Sequence, residues 1–291
     1  MGEGRGVWPR RDGAAVELVG VGVRVGGGRV LVDEVDWRVE FGGHWVVLGG
    51  NGAGKTTLLG IAGAVRHPSS GVASVLGHRL GRVDMRELRR HIGLVAVGRR
   101  LVDEELMEEE GLTAHEVVLT GFTGTSAPLW DRYGGAEHER AHALLADLGC
   151  KDLADRPFAV CSQGERARVR VARALMPDPA LLLLDEPFAG LDLPGREDLI
   201  AAVEDLARAH PSLTTILVTH HLEEVPATTT HALLLRDARV LASGPVRETL
   251  TSATLSACFA RPLTLGHLDG RWHVRAVRDG GGSSGRPGGC R

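Results

Sequence analysis

A glycine-rich segment, GGNGAGKT at residues 49–56, matches the pattern G-x-x-x-x-G-K-[ST]. It follows a short apolar run that is typical of a buried strand, and it precedes a helical pattern over residues 57–64. Glycines let backbone N–H groups curl around phosphate oxygens, and the start of a helix adds a favourable dipole. In such a loop Lys55 reaches the β- and γ-phosphates of a nucleotide, and the Thr56 hydroxyl is a ligand of Mg²⁺. The segment therefore predicts a site for a nucleoside triphosphate.

Three polar side chains follow two other buried-strand patterns, far along the chain. Asp185 ends the run of four leucines at 181–184, Glu186 comes next, and His220 follows the apolar run TTILVT. Because the carboxyl ends of parallel strands meet at one edge of a sheet, we expect all three near Lys55. There Asp185 can hold Mg²⁺, Glu186 can orient or deprotonate a water, and His220 can contact the γ-phosphate. The structural alternatives are a solvated loop acid for Glu186 and an ordinary hydrogen-bonded polar residue for His220.

The sequence Ser162-Gln163-Gly164-Glu165, here called the SQGE segment, opens a basic helical pattern. A serine followed three residues later by a glutamate is a capping box, so the segment predicts the start of a helix. It contains neither a nucleophile–base pair nor a metal-ligand spacing. Whether it also binds an anion stays open on these residues alone.

Composition limits the classes of function. The 291 residues include 34 basic and 37 acidic side chains, so the net charge of −3 does not indicate nucleic acid as the main partner. Four scattered cysteines (Cys150, Cys161, Cys258 and Cys290) form no CxxC pair, which favours a reducing cytoplasm over disulfides or a zinc site. We find no signal-peptide pattern and no apolar run of roughly 18–20 residues, so we expect membrane association only through a partner.

The pattern of apolar residues predicts an α/β fold. Segments 15–25 and 29–40 alternate around Gly26–Gly28 and predict antiparallel strands, while 44–50, 181–187 and 214–220 predict strands buried in a parallel sheet. Residues 101–160 predict a mostly helical insertion, and its acidic patch at 103–110 is interpreted as a solvated face. Short strand-like pieces follow residue 222, namely HALLLRD, RVLASG and RWHVRAV. We expect a flexible N-terminus over 1–14, one domain over 15–278 with its helical part at about 101–175, and a disordered tail over 279–291.

In this order, the motifs resemble those of the ATP-binding cassette (ABC) ATPases: Gly49–Thr57, SQGE at 162–165, LLLLDEP at 181–187, GLD at 190–192 and TH at 219–220. The resemblance covers about residues 15–250. It implies a P-loop NTPase cassette with a parallel RecA-like sheet core, an antiparallel β subdomain and a helical subdomain insertion. It also implies ATP and Mg²⁺ as cofactors and ATP hydrolysis coupled to transport. The stretches WVVLGGNGAGKTTLL, CSQGE and THHLEEVP are most similar to cassettes of molybdate or iron-complex uptake.

The resemblance also implies partners and further site residues. Two cassettes would pair head to tail, as a homodimer, on an integral membrane permease that handles a small solute at the inner face of the cell membrane. The SQGE segment would receive the γ-phosphate of ATP held by the partner cassette, and Asp192 would communicate across that interface. Capping and anion binding are then compatible, because a capped helix start presents N–H groups and a positive dipole end. The implied nucleotide contacts are Gly49, Gly50, Asn51, Gly52, Ala53, Gly54, Lys55, Thr56, Thr57, Ser162, Gln163, Gly164, Asp192 and Val25.

The sequence departs from the family pattern at four positions. Val25 stands where an aromatic usually stacks on adenine, and Tyr133 or Trp8 could substitute for it. Val97 stands where the family expects a glutamine, and Cys161 and Gln163 replace the usual leucine and first glycine of the SQGE segment.

Two alternative functions remain at this stage. One is a soluble ABC ATPase in translation or DNA maintenance, which the valine at position 97 keeps open. The other is a P-loop kinase or other NTPase without a partner cassette, against which the SQGE segment and the pair Asp185-Glu186 argue.

Overall fold

The computed structural model describes residues 13–96 and 111–277. Trp8, Val97, the acidic patch and the predicted tail lie outside these ranges, and the predicted domain boundaries stay predictions. The strands are β1 (Val16–Val25), β2 (Arg29–Val39), β3 (His44–Gly49), β4 (Ser70–Val75), β5 (His78–Arg79), β6 (Ile92–Ala96), β7 (Leu181–Asp185), β8 (Thr214–Thr219), β9 (His231–Arg236), β10 (Arg239–Pro245), β11 (Leu263–Leu268) and β12 (Arg271–Ala276). The α-helices are α1 (Lys55–Ala62), α2 (Met85–Arg89), α3 (Ala114–Thr123), α4 (Gly135–Asp147), α5 (Gln163–Leu175), α6 (Leu193–Ala209), α7 (Val246–Thr249) and α8 (Ser252–Phe259).

A six-stranded sheet of order β10-β9-β3-β8-β7-β6 forms the centre of the fold. Its strands pair in parallel except for β10, which pairs antiparallel with β9 at one edge. The strands predicted at 44–50, 181–187 and 214–220 are confirmed as β3, β7 and β8, and β8 lies between the other two. The carboxyl ends of β3, β7 and β8 therefore lie side by side, as the site requires.

The run of four leucines in β7 is explained by cover on both faces of this sheet. Leu182 and Leu184 belong to the core on the helical side, while Leu181 and Leu183 belong to the core on the opposite side. All four are fully buried, so no position along the strand tolerates a polar residue until Asp185 at its end.

A four-stranded antiparallel sheet of order β2-β1-β4-β5 packs on that opposite side. The predicted hairpin is confirmed, with Val25 paired to Arg29 across the turn Gly26–Gly28. No sequence pattern predicted β4 and β5, which are short and partly exposed.

Helices α3, α4 and α5 pack together on the other side of the central sheet. The predicted helical insertion is confirmed over residues 111–160, which contain α3, α4 and three short 3₁₀ turns. After α6, the described part of the chain continues through β8, β9 and β10 to α8 and the β11–β12 hairpin, of which only the second strand was predicted. Within the described ranges, no helix has both the length and the apolar character needed to cross a membrane.

Candidate functional site

The loop between β3 and α1 has a backbone that only glycine can adopt at one position. Gly54 has a φ of 105°, and a Cβ there would lie 2.5 Å from the carbonyl oxygen of Leu31. Gly54 is also the N-cap of α1, and the bond from Leu58 N to its carbonyl oxygen, at 2.9 Å, closes the first helical turn. The N–H groups of residues 55–57 therefore lie at the helix end, where an anion is stabilised by them and by the helix dipole.

Lys55 is buried inside this loop, with 6% of its surface exposed. Its Nζ donates hydrogen bonds to Gly49 O at 2.9 Å and Gly50 O at 3.1 Å, and it lies 3.9 Å from Oε1 of Glu186. Burial lowers the pKa of the Lys55 ammonium, and the carboxylates of Glu186 and Asp185 oppose that shift. The loop thus holds a buried cation beside its own carbonyls, where a phosphate oxygen would be a stronger partner.

Thr56 and Asp185 come from distant segments and meet at the end of β7. The Thr56 hydroxyl donates to Oδ1 of Asp185 at 3.4 Å, and its residue is exposed. A hydroxyl and a carboxylate are oxygen ligands, and Mg²⁺ commonly takes one or two protein oxygens together with phosphate oxygens and water. Within the described ranges, His, Cys, Asp and Glu form no group of three suited to a metal ion. This pair therefore fits Mg²⁺ held jointly by protein and nucleotide, rather than by a protein cage.

Glu186 and His220 form a second pair at this edge of the sheet. Nδ1 of His220 lies 3.1 Å from Oε1 of Glu186, and about a third of each side chain is exposed. A hydrogen bond donated by Nδ1 to this carboxylate oxygen leaves Nε2 as the ring nitrogen for another partner. The expected gathering of Lys55, Glu186 and His220 is thus found.

The SQGE segment begins α5 as a complete capping box. Ser162 Oγ accepts a hydrogen bond from Glu165 N at 3.2 Å, and Glu165 Oε2 accepts one from Ser162 N at 2.7 Å. The bond from Ser162 N, with the Arg156 guanidinium 3.1 Å away as a smaller cause, lowers the pKa of the Glu165 carboxyl. Ser162 and Gln163 are exposed at the helix end. This segment therefore presents the N-terminus of a 13-residue helix to the surface.

Gly164 and Asp192 belong to the same contact, between the starts of α5 and α6. A Cβ on Gly164 would lie 3.0 Å from Cα of Gly195, so only a glycine lets the two helices approach this closely. Asp192 is the N-cap of α6, and its Oδ1 accepts from Gly195 N at 3.0 Å. The structure thus places the two segments that the resemblance assigned to a partner interface beside each other.

The position where the resemblance implies an aromatic stacked on adenine carries an aliphatic side chain. Val25 ends β1 and is 37% exposed. Tyr133 belongs to the helical part, where its hydroxyl bonds to Thr123 Oγ1 at 3.1 Å and to Leu129 N at 3.2 Å. Trp8, the other candidate aromatic, lies outside the described residues.

Several residues that hold the segment after β8 were not predicted from the sequence. Glu224 is buried and accepts a hydrogen bond from the Thr219 hydroxyl, whose oxygen in turn accepts from His221 N at 3.1 Å. The spacing of Thr219 and Glu224 around His220 was a usable signal, since a buried carboxylate needs a donor nearby. Arg271 also contacts this segment and bonds to Glu197, and no local sequence pattern marked either residue.

Comparison with known proteins identifies relatives over most of the chain. The sequence profile of the family described as ABC transporter matches residues 32–189. The ABC transporter ATP-binding protein YlmA of Bacillus subtilis is 40% identical over 237 residues, which are 81% of this chain and 88% of that protein. The cobalt import ATP-binding protein CbiO of Rhodobacter capsulatus is 36% identical over 242 residues, 81% of each chain. The hemin import ATP-binding protein HmuV of Streptomyces coelicolor is 34% identical over 260 residues, 88% of this chain and 87% of that protein.

Solved structures show the same fold. A metal-chelate-type ABC transporter in an inward-facing conformation superposes with a TM-score of 0.71 at 25% identity, over 91% of this chain and 97% of that one. A dimeric ATP-binding cassette in a post-hydrolysis state, bound to ADP and Pi, gives a TM-score of 0.65 at 25% identity, over 80% of this chain and 99% of that one. These matches rule out a P-loop kinase and confirm the predicted cassette fold. The chain belongs to the ABC transporter family and is an ATP-hydrolysing, ATP-binding subunit of that family.

Proposed function

We propose that this chain powers the import of a small solute through an integral membrane permease. The first candidate for this solute is an iron complex. The observation that carries the proposal is the gathering of Lys55, Glu186 and His220 beside the pair Thr56 and Asp185. This arrangement joins a phosphate-binding cation, two Mg²⁺ ligands and an acid–base pair at one sheet edge.

The phosphate-binding role belongs to the loop and its lysine. The Lys55 ammonium would exchange the carbonyls of Gly49 and Gly50 for the β- and γ-phosphates, while the N–H groups at the start of α1 bind the remaining oxygens. Thr56 and Asp185 would hold Mg²⁺, which neutralises phosphate charge when it is bound. Asn51, Gly52, Ala53 and Thr57 complete the loop around the triphosphate.

The proton-transfer role belongs to Glu186. Its carboxylate would accept a proton from the attacking water, and the hydrogen bond from Nδ1 of His220 fixes the direction of that carboxylate. Nε2 of His220 then remains for a γ-phosphate oxygen. That contact requires Nε2 to donate, because a phosphate oxygen only accepts hydrogen bonds.

A second copy of the chain completes each site in this proposal. ABC cassettes work as dimers with membrane permeases, and the dimeric ADP and Pi structure superposes on this chain. The exposed start of α5, with Ser162 and Gln163, offers N–H groups and a positive dipole end to the γ-phosphate bound by the other copy. Asp192 lies next to this helix start and would sense its occupancy through Gly195.

The names of the relatives support import as the direction of transport. Relatives act in the import of cobalt and of hemin, and the structural neighbour is a metal-chelate-type transporter. An iron complex is therefore favoured over molybdate as the cargo. The cassette would lie peripherally at the cytoplasmic face of the membrane.

The alternative of a soluble cassette in translation or DNA maintenance depended on the valine at position 97, which lies outside the described residues. Co-purification of the tagged chain with an integral membrane protein, rather than with ribosomes, distinguishes the two.

The catalytic assignment is tested with purified full-length variants. Lys55→Ala should abolish ATP hydrolysis and weaken ATP binding severely, because it removes the principal phosphate cation. Glu186→Gln should bind ATP but lower kcat by at least about a hundredfold, since an amide cannot act as the base. Lys151→Ala is the matched control, because Lys151 is exposed and is the other lysine of the chain. Normal turnover by Lys55→Ala would contradict the proposed site.

A further inference from the structure

The β11–β12 hairpin packs against the segment that follows His220. Arg271, the first residue of β12, donates from Nη1 to Oε2 of Glu197 at 2.9 Å and from Nη2 to Oε1 at 3.3 Å. Nη2 also donates to the backbone carbonyl of Glu223 at 2.6 Å. One guanidinium therefore bonds to two elements that are far apart in the sequence.

Both of these elements belong to the proposed active site. Glu223 lies in the 3₁₀ turn Leu222–Glu224, which follows His220 and His221 directly. Glu197 lies in the first turns of α6, two residues after Gly195, which contacts Gly164 of the SQGE segment. Arg271 therefore connects the histidine segment to the helix start that would face the partner cassette.

The geometry of this contact requires an arginine. The planar guanidinium supplies two parallel N–H groups to a carboxylate and still has a donor for a carbonyl, whereas a lysine ammonium is a single point of charge. The neighbouring residue, Trp272, is buried and anchors the strand. Side chains of Arg271 and Glu197 are 31% and 44% exposed, so the ion pair itself contributes little stability. The ion pair instead fixes the Arg271 guanidinium, whose third bond then positions the Glu223 carbonyl.

Other bonds hold the same segment but lie farther from His220 or within the segment itself. Glu204 of α6 accepts a hydrogen bond from Ala227 N at 2.7 Å, and Glu224 accepts one from Thr219. Arg196 also shares Glu197, with its Nε 3.6 Å from Oε1. Among these contacts, Arg271 makes the bond to α6 that lies nearest to the histidine.

We propose that Arg271 is a positioning residue for ATP hydrolysis: it holds the backbone after His220 against the start of α6, so that the imidazole keeps its contact with Glu186. The proposal rests on the roles assigned above to Glu186 and His220. The β11–β12 hairpin would then act in turnover rather than in nucleotide binding. The hydrogen bonds of Arg271 go to Glu197 and Glu223, which belong neither to the phosphate loop nor to the Mg²⁺ ligands.

Arg271→Gln in the full-length protein tests this directly. We expect kcat to fall about tenfold while KM for ATP stays within about twofold, since misplacing a reacting group affects the chemical step and leaves the phosphate loop intact. Hydrogen exchange of the amides at 220–225 should become faster, because the bond from Arg271 to the Glu223 carbonyl is lost. Arg271→Lys should recover only part of kcat, and Glu197→Gln should lower kcat in the same direction but by less.

The control is Arg275→Gln, which removes an exposed arginine from the same strand and should leave kcat and KM unchanged. If Arg271→Gln keeps the wild-type kcat while Lys55→Ala, assayed alongside it, is inactive, the positioning role is overturned and the proposed active site stands. A parallel loss of kcat, ATP affinity and melting temperature would also overturn it, because the hairpin would then only stabilise the fold. If Arg271→Gln does not fold, Arg271→Lys and Glu197→Gln decide the question by the same separation of kcat from KM.

Discussion

Glu186 has a backbone φ of 49°, in the left-handed region that residues with a side chain seldom occupy. Its N–H donates to Val218 O of β8 at 2.9 Å, which holds the turn in this conformation immediately after β7. Such a conformation costs on the order of 1–3 kcal/mol and persists where the surroundings impose it, often at functional sites. Here it brings the carboxylate within reach of both Lys55 and His220, so the strain has a direct consequence for the proposed chemistry.

A single substitution at Val25 tests where the adenine ring binds. Val25→Tyr should tighten ATP binding by about 1 kcal/mol, roughly fivefold in Kd, because an aromatic ring stacks on the base and a valine cannot. Val30→Tyr is the matched control, since Val30 is 38% exposed, pairs with Arg24, and faces the opposite side of the hairpin. Titration with a fluorescent ATP analogue measures both, and equal Kd values in the two variants would place the adenine elsewhere.

At the scale of elements, the sequence predicted the parts of the fold that depend on local periodicity. The buried strands β3, β7 and β8 and the β1–β2 hairpin are long or strongly patterned, so their type and neighbourhood could be read directly. Strand β5 has two residues and β4 begins with exposed ones, so neither carries a clear period. Gly164 and Gly195 lie at the starts of two helices that are well separated in the sequence, and no local pattern predicts their close approach.

This helix contact gives a prediction about Gly164. Gly164→Ala should lower the free energy of unfolding by about 1–3 kcal/mol, because the added methyl meets the Gly195 backbone at 3.0 Å and one helix must shift. Gly135→Ala, at the first residue of α4 where a Cβ has open space, should be neutral or slightly stabilising. Urea unfolding followed by circular dichroism compares them. Equal stabilities would show that the two helix starts separate easily.

At the scale of the whole molecule, the site depends on contacts between segments that are distant in the chain. Asp185 meets Thr56 across 129 residues, and the sequence could predict this because both lie at ends of patterned strands and loops. Arg271 meets Glu197 across 74 residues, and an arginine at the start of the second strand of a short hairpin gives no comparable signal. The site residues that belong to a sequence motif were therefore predictable. The contacts by which the β11–β12 hairpin holds the site were not.

The last prediction concerns the pairing of two molecules through the SQGE segment. Glu186→Gln should accumulate as an ATP-bound dimer, and a second change at Ser162 then tests the interface. Asn and Asp both cap a helix as well as serine does, so Ser162→Asn and Ser162→Asp should preserve α5. A change at Gly164 would instead move α6.

The asparagine and aspartate side chains have nearly the same size and differ in charge. A carboxylate facing the γ-phosphate in a desolvated interface costs several kcal/mol, so the Ser162→Asp double variant should stay monomeric with ATP, while the Ser162→Asn double variant dimerises more readily. Size-exclusion chromatography with ATP measures the dimer fraction, and ATP binding to each monomer confirms an intact phosphate loop. If both double variants dimerise as readily as Glu186→Gln alone, the SQGE segment is only a helix cap.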